Sequence, residues 1–495
     1  MSGARGVVAA GHAESARAGA AALQAGGNAV DAALGAMLAA LTCEPLLTGL
    51  GAGGYMLVVS EGSDPVLLDF FVEAPGREAA GAHPQGELVP VEVSFGDAVQ
   101  IFHVGPASAG TYGFPAGVCE ASRRFGTIPL AELAAPAAQL ARDGVPLSPE
   151  QAYIVEILGP TVLSTPECAA LFAPEGRLLG VGDRFRQPEV GDAIERLGSD
   201  GCDPFYTGDI GRAVAAWLRD RGGLVSPADL AAYEVIPRDP LRVRYRGREV
   251  LTNPPPAPGG LLLAGALAEL DRAPSPPPVT AVADAMQSAQ DARTTEFLRG
   301  LSEPGFATRF LVQASRLGST THVAALDAEG GACSVTCSNG SASGVVVPGT
   351  GIHLNNMLGE SDLNPEGFHR HPAGARMPSM MSPTVLLRGG RPEIAVGSAG
   401  SNRIRSAILQ TILRCVDEGM SAQDAVRAPR IHYEDGAVFA EPGIDVAALE
   451  GVGRTVRRFR APNLFFGGAQ AAEHHEDGGF SGGGDPRRGG AAIVV

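Results

Sequence analysis

The run Gly318-Ser319-Thr320-Thr321-His322 places three hydroxyls and an imidazole at the head of the apolar stretch Val323-Ala324-Ala325-Leu326. A threonine hydroxyl works as a nucleophile near neutral pH only with a base in hydrogen-bond reach. That base is not a lysine, because the 495 residues contain none and all 38 basic side chains are arginine. Arginine stays protonated at any working pH. The missing lysine also excludes a pyridoxal-phosphate Schiff base, a P-loop lysine, a Ser-x-x-Lys site and a kinase ATP lysine. An amine base can come only from a chain terminus, whose pKa of about 7.7–8 suits the task. Alone, a Ser-Thr-Thr run reads as nothing more than a polar entry to a strand.

The other reactive residue types carry less. Cys333 and Cys337 have a metal-like separation, but no second Cys/His pair completes a site, so they read as small buried residues on a strand. Seven scattered cysteines, an odd number, fit a reducing compartment better than a disulfide framework. His369-Arg370-His371 and His474-His475 lack further ligands and read as surface segments. Thr48-Gly49-Leu50-Gly51-Ala52-Gly53-Gly54-Tyr55-Met56 is glycine-rich, yet a phosphate loop runs strand, glycines, helix. Here the order is helix, glycines, strand, which rejects a nucleotide site.

The elements that must hold these groups follow from periodicity and punctuation. Residues 12–23 read as an Ala-rich helix stopped by Gly26-Gly27, and Asn28 caps a second helix over 29–41, apolar nearly all round and therefore buried. The glycine loop feeds a strand at 56–60. Helices are expected at 130–142, 209–221 and, after the turn Asn253-Pro254-Pro255-Pro256-Ala257-Pro258-Gly259-Gly260, at 261–270. Strands at 321–327 and 332–337 form a hairpin around Ala328-Glu329-Gly330-Gly331, with others at 384–387, 393–396 and 437–440 and a long helix at 403–419. Helices in one half and strands in the other point to a layered α/β architecture without repeats.

Bulk composition narrows the function classes. The length allows about two to four domains, and 45% apolar residues suffice for large cores. With 54 acidic side chains and a formal charge of −16, the chain is a poor partner for nucleic acid. No apolar stretch reaches the ~18 residues of a membrane span and the N-terminus lacks a signal-like apolar core, so a cytoplasmic enzyme is the expectation.

Pieces spread along nearly the whole chain resemble the γ-glutamyltransferase family of N-terminal-nucleophile hydrolases. They include Gly26-Gly27-Asn28-Ala29-Val30-Asp31-Ala32-Ala33, Glu44-Pro45, the loop at 49–56, and Glu73-Ala74-Pro75. Later come Thr320-Thr321-His322, Ser343-Gly344-Val345, Leu354-Asn355-Asn356-Met357 and Ser379-Met380-Met381-Ser382-Pro383-Thr384. Gly397-Ser398-Ala399-Gly400-Ser401-Asn402-Arg403 and Gly484-Asp485-Pro486-Arg487-Arg488-Gly489 complete the series. The joint order is far more specific than any one piece.

The resemblance implies a four-layer αββα sandwich, with helices mainly from the first part of the chain, and a precursor that cuts itself between Ser319 and Thr320. A large chain, 1–319, and a small chain, 320–495, would then intertwine in one heterodimer. Thr320 would supply both the nucleophilic hydroxyl and the α-amine base, although Thr321 is an adjacent competitor that motif position disfavours. Ser338, eighteen positions on, and Asn339 would position the threonine, and backbone N–H groups near Gly400 and Ser401 would form the oxyanion hole. The family needs no metal or organic cofactor, and its substrates are small acyl compounds.

The same comparison shows departures at the donor end. The family grips the donor's α-carboxylate with an arginine in Asp-Phe-Arg-Glu-x-Ala-Pro and with a serine pair. Here Phe71 stands at the arginine position and the pair reads Ser379-Met380. The residues expected to hold the amine are Met357 and Glu360. Hydrogen bonds to charged groups contribute on the order of 1.5–3 kcal/mol each. Losing the arginine and one serine removes ~3–6 kcal/mol, roughly a hundred- to ten-thousandfold. A free glutamyl donor should be poor unless an unrelated arginine swings in. The expectation is a threonine hydrolase for another acyl or amide substrate, with hydrolysis of a carbon–carbon bond beside a keto group, as in natural-product pathways, or an inactive binding relative as alternatives.

Overall fold

The computed structural model describes residues 4–79, 86–94, 99–292, 301, 320–361, 363–364, 366–400 and 402–495. Two antiparallel sheets form its centre. The first has seven strands in the order Ala491–Val494, Gly6–Ala10, Thr321–Asp327, Ala332–Ser338, Gly53–Val59, Val66–Phe70 and Ile236–Arg238. The second has six: Phe480–Gly484, Gly468–His474, Arg391–Ala399, Thr384–Arg388, Arg248–Thr252 and Leu241–Tyr245. Both sheets combine strands from before and after residue 320, so β structure is not confined to one half of the chain. The C-terminal segment with His474, expected on the surface, is a two-strand edge of the second sheet.

Side-chain alternation along each strand builds the layers. Val323 and Ala325 face the helix cluster of Val30, Leu34, Leu38 and Leu41, whereas Ala324 and Leu326 join the core shared with Ile394, Val396 and Ala471 of the second sheet. Helices Ala13–Gln24, Ala29–Cys43, Leu130–Asp143 and Pro188–Asp200 lie with the first sheet; Pro258–Leu270, Val279–Asp291 and Arg403–Asp417 lie with the second. This is the expected αββα sandwich. No described helix is long and apolar enough to cross a membrane.

Helix Ala29–Cys43 shows how sequence and burial agree. Asn28 and Asp31 form the reciprocal capping box, and all fifteen helical residues are buried. Asp31 also accepts from the backbone of Thr127 and Ile128, so one carboxylate caps the helix and ties in a distant loop. Between the sheets, contact is close enough to dictate a residue type. A Cβ on Gly397 would lie 2.2 Å from the His322 ring, so only glycine admits the imidazole there. His322 Nδ1 is 2.8 Å from Thr336 Oγ1, and burial depresses its pKa to about 3. It is a neutral packing residue.

Gly397→Ala is therefore expected to push the sheets apart locally and to destabilise the protein by about 1–3 kcal/mol. A lowered urea-unfolding midpoint would record this; an unchanged midpoint would show that the His322 ring has room to move.

Candidate active site

Strand Thr321–Asp327 sits inside the first sheet, hydrogen-bonded to Gly6–Ala10 on one side and Ala332–Ser338 on the other. In the second pairing Thr321 opposes Cys337, and continuing that register by one residue sets Thr320 against Ser338. Thr320 is 1% exposed, and its Oγ1 has no hydrogen-bond partner among the described residues. A buried, unsatisfied hydroxyl is costly, which makes this position unlike an ordinary strand entry. Ser319 and Ser401 lie outside the described residues.

The strand beside it carries the expected positioning groups. Ser338 ends Ala332–Ser338, pairs with Gly53, and its Oγ accepts from Gly340 N at 2.8 Å. Asn339 donates its backbone N–H to Leu47 O at 3.1 Å and its Nδ2 to His353 O at 3.3 Å, while its Oδ1 has no described partner. Glu360, fully enclosed, accepts from Ser341 N at 3.0 Å through Oε1. The short loop after Ser338 thus draws Ser338, Asn339 and Glu360 into one buried group. Gly400 closes the strand Arg391–Ala399 with φ of +116°, a conformation that favours glycine, and its carbonyl accepts from Arg403 N at 3.1 Å.

Phe71, Met357 and Met380 are all buried in one apolar cluster with Tyr55, whose ring stacks on Phe71 at 5.4 Å. Ser379 turns its Oγ to Met381 N at 3.2 Å, capping its own loop. The arginine nearest in kind to a relocated clamp is Arg376, which donates to Phe71 O at 2.6 Å. Its charge is already met by Asp69 and Glu73, each at 3.4 Å, and its guanidinium lies 4.7 Å from the Tyr233 ring centroid. A cation neutralised by two buried carboxylates offers little to a third.

Of the two loop histidines, one differs from expectation. His369 is buried and its Nε2 lies 3.0 Å from Ala107 O; His371 Nε2 lies 2.8 Å from Leu363 O. Each ring meets a backbone carbonyl: His369 ties the loop to the distant segment at Ala107, whereas His371, half-buried beside the exposed Arg370, bonds within its own loop. Cys333 and Cys337 are buried strand residues, as read from their spacing.

Glu44 carries no role in the sequence reading, yet it reaches the head of the Thr321–Asp327 strand. Its Oε2 accepts from Thr321 Oγ1 at 2.7 Å, and burial raises its pKa from 4.5 to about 7. Arg488, also buried, is the opposing charge. Its sequence signals are its place in the family pattern, as Glu44-Pro45, and an acidic residue directly after a largely apolar helix.

Because folding raises the Glu44 pKa, the folded state holds a proton that the unfolded chain releases above about pH 4.5. The associated stability is present below that pH and lost as pH rises through about 7. Glu44→Gln is expected to remove about 3 kcal/mol of this pH dependence between pH 5 and 8. Parallel urea-unfolding curves at the two pH values check it, and equal slopes for variant and wild type would disprove the shift.

Comparison with known proteins identifies the family. The gamma-glutamyltranspeptidase family model matches residues 15–308 and 302–495. The acylase ACY 1 proenzyme of Pseudomonas sp. strain SE83 is 31% identical over 497 residues, covering 94% of this chain and 89% of the relative. The glutathione hydrolase proenzyme of Escherichia coli K12 is 29% identical, covering 83% and 78% respectively. Among solved structures, the cephalosporin acylase from Bacillus halodurans superposes with a TM-score of 0.82 at 26% identity, over 99% of this chain and 96% of that one. With both segments of the family model accounted for and the αββα sandwich in place, the chain belongs to the gamma-glutamyltranspeptidase family of hydrolases and acyltransferases.

Proposed function

We propose that this chain is an autoprocessing hydrolase that cuts itself between Ser319 and Thr320 and then acts through Thr320. The new α-amine takes the proton as Thr320 Oγ attacks the substrate carbonyl. The tetrahedral oxyanion collapses with loss of the leaving group, which receives that proton, and water releases the acyl group by the reverse sequence. Ser338 and Asn339 hold the threonine, and backbone N–H groups at Gly400 and Ser401 receive the oxyanion. The large and small chains, 1–319 and 320–495, stay together as one unit. The observation that carries this reading is the buried, unpartnered Thr320 Oγ1 at a strand head whose register sets it against Ser338.

The substrate we infer is an amide or related acyl compound other than a γ-glutamyl peptide. Phe71, Met357 and Met380 give an apolar wall, and Arg376 is committed to Asp69 and Glu73. The similarity to enzymes named as acylases, one of them a cephalosporin acylase, supports the same direction. The wall also suits a carbonyl flanked by a keto group, for which the same attack would break a carbon–carbon bond.

On a denaturing gel the wild type is expected as two chains and Thr320→Ala as one, with N-terminal sequencing of the small chain beginning at Thr320. A start at Thr321, or a cleaved Thr320→Ala chain, contradicts the assignment, and an uncut wild type would leave a binding relative. In a panel of a γ-glutamyl anilide, apolar acyl amides and keto acids, kcat/KM for the anilide is expected to fall at least ~100-fold below the best substrate. Efficient anilide turnover would refute the lost clamp, and preference for the keto acids would select carbon–carbon cleavage.

A further inference from the structure

Glu44 is an unusual residue for its place. It ends the wholly buried helix Ala29–Cys43, with its N–H donated to Ala40 O at 2.8 Å and its carbonyl accepting from Leu47 N at 3.0 Å. The backbone is thereby fixed, and the carboxyl is left under the first sheet on the face opposite the second sheet. A Cβ on Gly11 would lie 2.2 Å from Oε2, so the neighbouring strand end packs directly on it. Oε2 receives Thr321 Oγ1, and Oε1 has no partner among the described residues. An apolar side chain would fill this space without the cost of burying a carboxyl. That cost asks for a function.

The charges around it are few. Arg488 is the cation that faces Glu44, and burial holds its own pKa down to about 10, which leaves it protonated near neutrality. Arg488 in turn feels Asp485 and the cations Arg403 and Arg430. On Glu44's own element, burial pushes the Cys43 thiol up, so it stays neutral. Arg488 also reaches the other half of the site: its Nη2 is 3.4 Å from where a Cβ on Gly400 would stand. One guanidinium therefore stands beside the turn at Gly400 and acts electrostatically, without an ion-pair contact, on the carboxyl behind Thr321.

We propose that Glu44 is a positioning residue: through Thr321 it fixes the head of the strand, and its carboxylate, set against Arg488, tunes the protonation of the α-amine on Thr320. The inference rests on the reading that cleavage makes Thr320 an N-terminus and its amine the base. That amine stands one peptide unit from the hydroxyl that Glu44 holds. A carboxylate at this range favours the ammonium form and the guanidinium disfavours it. Together they keep the amine's pKa near the working pH, where a general base is most useful. Without Glu44, Arg488 acts alone and the amine gives up its proton at lower pH. The wild-type acid limb belongs to the coupled pair of carboxyl and amine.

The test uses the processed protein and exploits the absence of lysine. With no side-chain amines, competitive labelling by acetic anhydride across pH, read by mass on the small chain, titrates the Thr320 amine directly. Glu44→Gln is expected to self-cleave and to shift both the labelling midpoint and the acid limb of kcat/KM down by about one pH unit. Thr321→Val keeps the charge and loses the bond, so kcat should fall with the midpoint unmoved, and Thr321→Ser should restore kcat. Unmoved midpoints in Glu44→Gln would overturn the inference. So would a Glu44→Gln chain that stays uncut while the wild type is cut, since Glu44 would then serve folding or processing. An uncut wild type, or an active Thr320→Ala chain, would instead defeat the functional reading beneath it.

Discussion

Everything at this site depends on one strand being held from both sides. Thr321–Asp327 exchanges backbone hydrogen bonds with Gly6–Ala10 and with Ala332–Ser338, and its side chains are buried on both faces. Such a strand is positioned by its neighbours and needs nothing from the residues before it. A break in the chain ahead of Thr320 would leave both ladders intact. The proposed cleavage requires this, because Thr320 would then become a terminus without losing its geometry. The requirement is met because one neighbouring strand lies at the start of the sequence and the other immediately follows.

The two faces of that strand then separate packing from charge. On the inter-sheet face, His322 fills the space that Gly397 leaves, and its imidazole is kept neutral by burial. On the helical face, Thr321 meets a carboxyl, Glu44, which Arg488 opposes at the margin of a largely apolar cluster. Strand alternation thus gives adjacent residues opposite surroundings: Thr321 is anchored to the helical layer while Thr320 is carried by the register toward Ser338. The anchor and the proposed nucleophile are neighbours in sequence because they must point apart.

The local part of this design was readable from the sequence. The capped helix after Asn28 and the hairpin at 321–338 follow from apolar period, glycine stops and a turn, and their observed bounds differ from the expected ones by a few residues at most. The order of strands was not readable, because the first sheet pairs residues 6–10 with 321–327 and with 491–494, separations that no local signal encodes. Ser338 and Asn339 were legible only through the family pattern. Glu44 was part of that pattern but carried no role, because its meaning depends on Thr321, 277 positions away. His369 is buried against expectation for a similar reason: its partner is the backbone carbonyl of Ala107, 262 positions away, which is invisible in side-chain chemistry.

The all-arginine composition has a consequence for specificity as well as for the base. An arginine can serve a substrate carboxylate only while its guanidinium is not already satisfied. Arg376 lies beside Phe71 but is neutralised by Asp69 and Glu73, and Arg238 bonds Asp69 at 2.7 Å as well. To recruit Arg376, a substrate carboxylate would have to displace one of these carboxylates and leave it buried and unpaired, at a cost of about 3–5 kcal/mol. That cost is of the same order as the gain from a fresh charged clamp, so no net binding energy would remain. If Phe71 stands where the family pattern has an arginine, Arg376 next door does not compensate for it. In the proposed reading, the apolar cluster of Tyr55, Phe71, Met357 and Met380 would then select the acyl group by shape and burial rather than by charge.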